Sequence, residues 1–529
     1  MGTWTQDKRI MAINTPLGKD VLLLAGIHGQ EYISQPFSFD LELVSENKDI
    51  SFGDIIGKEV TVTIRSKGSL DNIKDIRYIH GIIARFFQST KPATKTADNS
   101  LFYHYEATLV PYLWLLTQRM NSRIFQKKSV PDIVRKIIEE KQFIKYKFEL
   151  QGNNLEREYC VQYQETDFNF ISRLLEEEGI RYYFKHGDKN ATLILSDKID
   201  NPPCPKQETA QFLVDKTEKP ETDLIFSVER TGQIIPGKFS LRDFNYELPQ
   251  KHREADTTGK THGPGKPEQY EVFEFPGRFS DNNAGKAFAK IKMESHEARA
   301  MILEGAGDCR AFTSGYSFEL KEAQLKKLDG KYLITLVEHL ADSDLFSDKG
   351  GSYYVNHFQC IPANTPYRPL QITPKPVMRG PQTAIVVGPG GNKGEEINID
   401  KLGRVKVQFH WDREGKNNDK SSCWIRVAQT WAGNQWGAQF IPRTGHEVVV
   451  DFLDGDPDRP LITGSVYHEQ NKLPYEGEST KTGIKSKSYQ GNKSVTGFNE
   501  LRFEDKKDKE EFYIHAQKDF KMEVENDQT

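Results

Sequence analysis

Apolar side chains recur at every second position through much of this chain. In QPFSFDLELVS (residues 35–45), Phe37, Phe39, Leu41 and Leu43 alternate with polar partners, and KEVTVTIRS (58–66) and HGIIARFFQS (80–89) repeat the period. A two-residue repeat sends alternate side chains to opposite faces, the pattern of a half-buried strand. Helical spacing is confined to three places. SVPDIVRKIIEEKQF pairs Ser129 with Asp132 as a capping box around Pro131. Thr166 precedes DFNFISRLLEEEG, whose Phe168, Ile171, Leu174 and Leu175 share one face, with Gly179 at the C-cap position. DNNAGKAFAKIKMESHEARAMILEG (281–305) is the third. Between Asp197 and Lys266 prolines and charges displace the periodicity, which predicts long surface loops or a subdomain joint.

PANTPYRPLQITPKPVMRGPQ (362–382) carries six prolines and marks a domain boundary. Beyond it, up to Tyr475, strands become short and evenly spaced: AIVVG, GRVKVQFHWD, SCWIRVAQTWAG, EVVVDFL and LITGSVYH. Five such strands predict a small antiparallel barrel, with an OB-fold leading. In the second, Val405, Val407, Phe409 and Trp411 oppose Arg404, Lys406, Gln408 and His410. The tail from Glu476 is rich in charge, and its composition alone suggests disorder. Its apolar positions argue otherwise: Phe512, Ile514 and Ala516 alternate, and Phe520, Met522 and Val524 repeat the alternation eight residues later. A unit with one narrow apolar edge cannot bury it alone, so the repeat predicts stacking or pairing with other copies, an oligomeric β-prism.

At 529 residues the chain is too long for one core, and three to four domains are roughly what its length predicts. A net charge of −4 sets no global basic field for nucleic acid or an anionic membrane. Cys160, Cys204, Cys309, Cys360 and Cys423 are dispersed without a CxxC pair, so reduced, mostly buried thiols are expected rather than a disulfide framework or zinc ribbon. The longest early apolar run, VLLLAGI, lies too far in and is too short for a signal sequence or a span. The expectation is a soluble product of the cytoplasm that reads no cleavable export signal.

Several motifs invite chemistry. Asp454, Asp456 and Asp458 in LDGDPDRP have the opening spacing of an EF-hand loop, but Arg459 and Ser465 stand where the loop needs Gly and a bidentate Glu. The residue types favour a turn. His446–Glu447 and the SHEARAM segment around His296 lack the second histidine of a zincin, and GPGGNKGEE (388–396) lacks the GK[ST] of a P-loop. Trp411, Trp424, Trp431 and Trp436 have no basic cluster beside them, which favours packing in the barrel or at a subunit contact over base stacking. No catalytic residue, metal site or cofactor is predicted.

The segments PLGKDVLLLAGIHGQEYISQPFSFDLELVSEN, YCVQYQETDFNFISRLLEEEGIRYYF, DKLGRVKVQFHWDREG, WIRVAQTWAGNQWGAQFIPRTGHEVVVDFLDGDPDRPLITGSVYH and ELRFEDKKDKEEFYIHAQKDF run in one order along the chain. Together they resemble VgrG, the trimeric spike family of type VI secretion, itself similar to a fused hub and tail-spike of contractile phages. The resemblance implies a mainly β homotrimer with some α. Residues 1–375 would form a hub of barrel-like domains, 380–475 an OB-fold neck, and 476–529 a linker and the start of a triple-stranded β-helix. The implied partners are further copies of the chain, the Hcp tube, baseplate components, effectors or adaptors, and a PAAR tip protein where the needle is complete. The implied course is cytoplasmic assembly followed by secretion through the apparatus. Family members usually continue the needle well past the position of Thr529, which leaves tip binding open. The link NKLPYEGESTKTGIKSKS is too short for an inserted lysozyme domain. Phe512, Ile514, Ala516, Phe520, Met522 and Val524 are the expected trimer contacts. A phage-like baseplate hub–spike, or a cell-wall hydrolase on such a scaffold, is the alternative.

Overall fold

The strand Gly330–Asp342 organises the larger part of the structure, a computed structural model. It describes all residues except 1–3, 8, 66–74, 97–98, 141–143, 153–154, 214–221, 251–252, 261–268, 280, 324, 344, 346–351, 392–394, 490–495 and 528–529. Three residues of the Gly-rich stretch 388–396, and the whole HGPGKP run (262–267), therefore lie outside the described residues. The chain forms two units. One comprises Met1–Met120, Ser129–Leu155 and Thr166–Lys375, and the other Asn121–Lys128, Glu156–Glu165 and Pro376–Thr529.

In the first unit, one edge of Gly330–Asp342 serves two partners in turn. Its first residues pair with Ser317–Lys321 and its last with Leu23–Tyr32, while the other edge pairs along its length with Tyr353–Pro362. Because Tyr353–Pro362 also pairs with Met301–Gly307, six strands close into a barrel, the remaining two being Thr209–Phe212 and Leu224–Gly232. Full closure leaves no free edge inside that ring. Its core centres on Phe312, which packs against Phe318 at 4.6 Å and Phe358 at 5.2 Å between ring centroids. From Leu23–Tyr32 the sheet continues as an antiparallel run through Ser38–Ser45, Leu101–Val110, Asp75–Gln88, Glu59–Arg65 and Met11–Asn14.

Two local expectations give way here. The stretch 197–266 reads as long surface loops or a subdomain joint, yet Thr209–Phe212 and Leu224–Gly232 are barrel strands, and Lys238–Asp243 and Arg253–Thr258 are strands of a separate three-stranded sheet with Glu271–Glu274. The third helical pattern stops early: α3 runs Asn282–Glu297, capped by the Asp281 carboxylate, and Met301–Gly307 leaves it to become a barrel strand. Two glycines permit this. A Cβ at Gly305 would stand 2.4 Å from the Phe358 ring, and one at Gly307 2.5 Å from the Leu224 carbonyl. The other helices follow the sequence. α1 is Val130–Glu139, with Ser129 accepting from the Asp132 amide; α2 is Asp167–Glu177, with Thr166 accepting from Asn169. On α2, Phe170 rather than Phe168 joins Ile171, Leu174 and Leu175 in burial.

A polar knot lies buried among these strands. Arg77 ion-pairs with Glu31, and its guanidinium donates to His339 at 3.0 Å and to the Phe312 carbonyl. His339 also bonds the Tyr354 hydroxyl at 2.6 Å. Burial alone would raise the Glu31 carboxyl, but the Arg77 charge and the His339 bond outweigh it and hold the group at about 2. Burial, reinforced by Arg77, pushes His339 down to about 4, and burial lowers His186, which feels the same pair, to about 3.

In the second unit, Gln382–Val387, Lys406–Phe409, Arg426–Val427, Glu447–Phe452 and Pro460–Val466 form a five-stranded sheet. A bridge between Val405 and Ile425 ties the two ends of the strand order together. Val405, Val407 and Phe409 point into its core, where Ala384, Val386, Val448, Val450 and Ile462 meet them. Most of a two-stranded ribbon, Met120–Ser129 with Glu156–Thr166, belongs to this unit although it is encoded far upstream. Among the described residues no helix is long and apolar enough to cross a membrane.

Acid should weaken the first unit in two stages. Unfolded histidine takes up a proton near 6.5, so the share from His339 and His186 is complete above that pH and falls as pH drops toward about 4 for His339 and about 3 for His186. The share from Glu31 is complete above about 4.5 and falls as pH drops toward about 2. Calorimetric unfolding midpoints across this range should trace both stages. Glu31→Gln, which leaves the buried Arg77 without its counter-charge, should cost about 3–5 kcal/mol and remove the lower stage.

Candidate functional site

Lys481–Lys485, Glu500–Glu504 and Glu511–His515 make an antiparallel three-stranded sheet in the tail. The charged run DKKDKE closes its second hairpin, with Asp508 in the left-handed region at φ +65° and the Lys509 amide donating to the Lys506 carbonyl at 2.9 Å. The register sets Ile484, Leu501 and Ile514 in one row and Phe503 beside Phe512 in the next. All five therefore share one face. Phe503 and Phe512 stack at 5.0 Å. The face is open in the single chain: Phe512 is 60% exposed, Ile484 56% and Ile514 51%.

The opposite face is satisfied internally. Arg502 pairs with Glu500 at 3.1 Å and Glu511 at 2.8 Å and stands 4.3 Å over the Tyr513 ring. Lys485 lies 4.2 Å over Phe498. One face is thus electrostatically complete and the other is a contiguous apolar patch. Patches of this kind mark association surfaces.

Of the six residues expected to make subunit contacts, Phe512 and Ile514 lie on this face. Ala516 follows directly after the strand. Phe520, Met522 and Val524 are exposed in 517–527, where no strand is formed among the described residues. Ile484, Leu501 and Phe503 extend the face and escaped sequence reading. For Leu501 and Phe503 the signal was present as the alternation in ELRFE, but two apolar positions in a charged pentapeptide carry little weight without a partner strand.

The aspartate run of the neck is a turn. Asp454 (φ +55°) and Gly455 (φ +67°) are left-handed, and Asp456 accepts from the Asp458 amide at 3.0 Å. The Asp458 carboxylate accepts from the Val161 amide at 2.7 Å, and Asp454 lies 3.7 Å from Arg459. These carboxylates serve backbone amides and an arginine. His446 accepts from the Arg443 amide beside the strand Glu447–Phe452, and His296 packs on Phe239. The tryptophans divide. Trp411 stacks on Phe409 at 5.0 Å and donates to Gln382 at 2.8 Å. Lys406 lies 4.9 Å over Trp424. Trp431 and Trp436 stay outside the core, 64% and 59% exposed, edge to face at 5.0 Å.

A β-barrel hub followed by a five-stranded neck and a tail with an open apolar face defines a hub-and-spike protein of the contractile-tail kind. Comparison with known proteins agrees. Residues 30–345 match the phage tail baseplate hub family (GPD). Residues 396–467 match the type VI secretion system/phage-baseplate injector OB domain, and 482–529 the bacteriophage T4 gp5 C-terminal trimerisation domain. The type VI secretion system spike protein VgrG1b of Pseudomonas aeruginosa is 38% identical over 99% of this chain and 69% of its own length. A component of the Escherichia coli type VI secretion system, described as similar to T4 tail proteins gp27 and gp5, superposes with a TM-score of 0.58 at 22% identity, over 86% of this chain and 99% of that one. A Francisella PdpA–VgrG complex gives 0.55 at 11% identity, over 96% and 87%. The chain belongs to the VgrG family of type VI secretion spike proteins, and it is a hub-and-spike component of that puncturing machine.

The turn assignment has a direct check. A cation bound to the folded state at a hundred times its dissociation constant would stabilise it by about 2.7 kcal/mol. Millimolar calcium and excess chelator should instead give the same calorimetric midpoint.

Proposed function

We propose that three copies of this chain assemble by packing the tail faces toward a common axis as the start of a triple-stranded β-helix. The observation that carries this is the one-sided tail sheet, in which Ile484, Leu501, Phe503, Phe512 and Ile514 are presented together and the charges sit on the other side. The match of 482–529 to a trimerisation domain supports three as the number. Ala516, Phe520, Met522 and Val524 join the contact when the neighbouring chains supply the strands they lack.

On this reading residues 1–375 form a ring beneath the Hcp tube, 380–475 form the neck, and 476–529 begin the needle toward a PAAR tip protein. The known complex of a VgrG with PdpA supports the docking of effectors or adaptors on such a spike. The trimer is made in the cytoplasm and leaves through the apparatus. The work is mechanical: prism strands can be parted only by separating all three chains, and the protein performs no catalysis.

Multi-angle light scattering should give three times the mass of one chain at micromolar concentration. A monomer would reject the trimer. Phe503→Asp combined with Phe512→Asp removes two side chains each worth about 1.5–3 kcal/mol on full burial, and should weaken association at least about tenfold. Far-ultraviolet circular dichroism should stay unchanged.

A further inference from the structure

We infer that residues 121–128 and 156–165 act as a strap: they are encoded within the hub's stretch of sequence, complete the fold of the neck, and fasten the two units together. The chain passes between the units after Met120, Lys128, Leu155, Glu165 and Lys375, so five covalent connections join them. The proline-rich segment is only the last.

The seat of the strap is built rather than incidental. Arg123 is completely buried, and its Nε donates at 2.8 Å to Gln162, itself completely buried, which ties the two strap strands together. Its Nη1 lies 3.7 Å from Glu414 of the neck. A guanidinium is left out of water only where its partners are fixed. The Val161 amide, buried in the second strap strand, donates to the Asp458 carboxylate of the DGDPD turn. Tyr163 packs edge-on against Trp411 at 5.5 Å and accepts from Gln382, which also accepts from the Trp411 indole. Gln126 donates to the Lys420 carbonyl at 2.7 Å, and Ile124 packs on the neck core. Lifting the strap would leave a buried backbone donor, a buried charge and part of an apolar core uncovered. Each is costly on its own.

The acid-rich turn thereby has a definite task. Asp454 and Gly455 take the left-handed backbone, Asp456 fixes the Asp458 amide, and Asp458 is left aimed at the strap.

The test uses the full chain with a site-specific protease sequence inserted after Lys375. After cleavage, fragments 1–375 and 376–529 should still co-elute on gel filtration at physiological salt, because the strap remains seated. Separation of the native fragments would overturn the inference. Arg123→Ala combined with Asp458→Ala should release the smaller fragment at least tenfold faster and speed hydrogen exchange of the Val161 amide by a similar factor. Unchanged retention in that variant would also overturn it. Where the double variant does not fold, Tyr163→Ala stands in with the same two outcomes. Fragment retention reads alike for a monomer or a trimer, so failure here is separable from failure of self-association.

Discussion

A three-stranded sheet can be stabilised in water only if at least one of its faces is covered. In this tail the charges have been gathered on the side where Arg502, Glu500, Glu511 and Tyr513 satisfy one another, and the apolar row from Ile484 to Phe512 is left for something else to cover. The outer strands also present ladder edges, a second surface that favours other chains over solvent.

The two folded units meet that demand in different ways. The hub closes six strands into a barrel through the double pairing of Tyr353–Pro362, and fixes the adjoining sheet with a knot of buried charge. Such a knot adds little net stability compared with an apolar replacement, but its partners tolerate only one arrangement. The neck is smaller, with a core of short strands, and it takes in a ribbon from elsewhere in the chain to cover that core.

Much of this was legible in order along the chain. The period-two runs at 35–45 and 58–66, the capped starts of α1 and α2, the proline-rich boundary and the five neck strands all report local constraints: face alternation, an N-cap, a fixed φ. The failures also have physical causes. Residues 197–266 read as long loops or a subdomain joint because two of their strands, Thr209–Phe212 and Leu224–Gly232, owe their outer pairing to distant segments, Ser317–Lys321 and Met301–Gly307, rather than to a strong repeat of their own. MILEG read as the end of a helix because nothing local reveals that Gly305, and Gly307 just beyond it, must lie against Phe358 and Leu224.

The candidate site shows the same division. Alternation alone singled out Phe512 and Ile514 as residues in need of a partner, because a side chain's face in a strand depends only on its position in the sequence. The residues beside them, Leu501, Phe503 and Ile484, could be added only once the register was known, since register is fixed by pairing across turns. Likewise, the residue types of DGDPD already specified a turn through the backbone preferences of Asp, Gly and Pro. That Asp458 reaches the amide of Val161, 297 positions away, was decided by the tertiary fold alone, because no local preference encodes which distant strand will lie beside a turn.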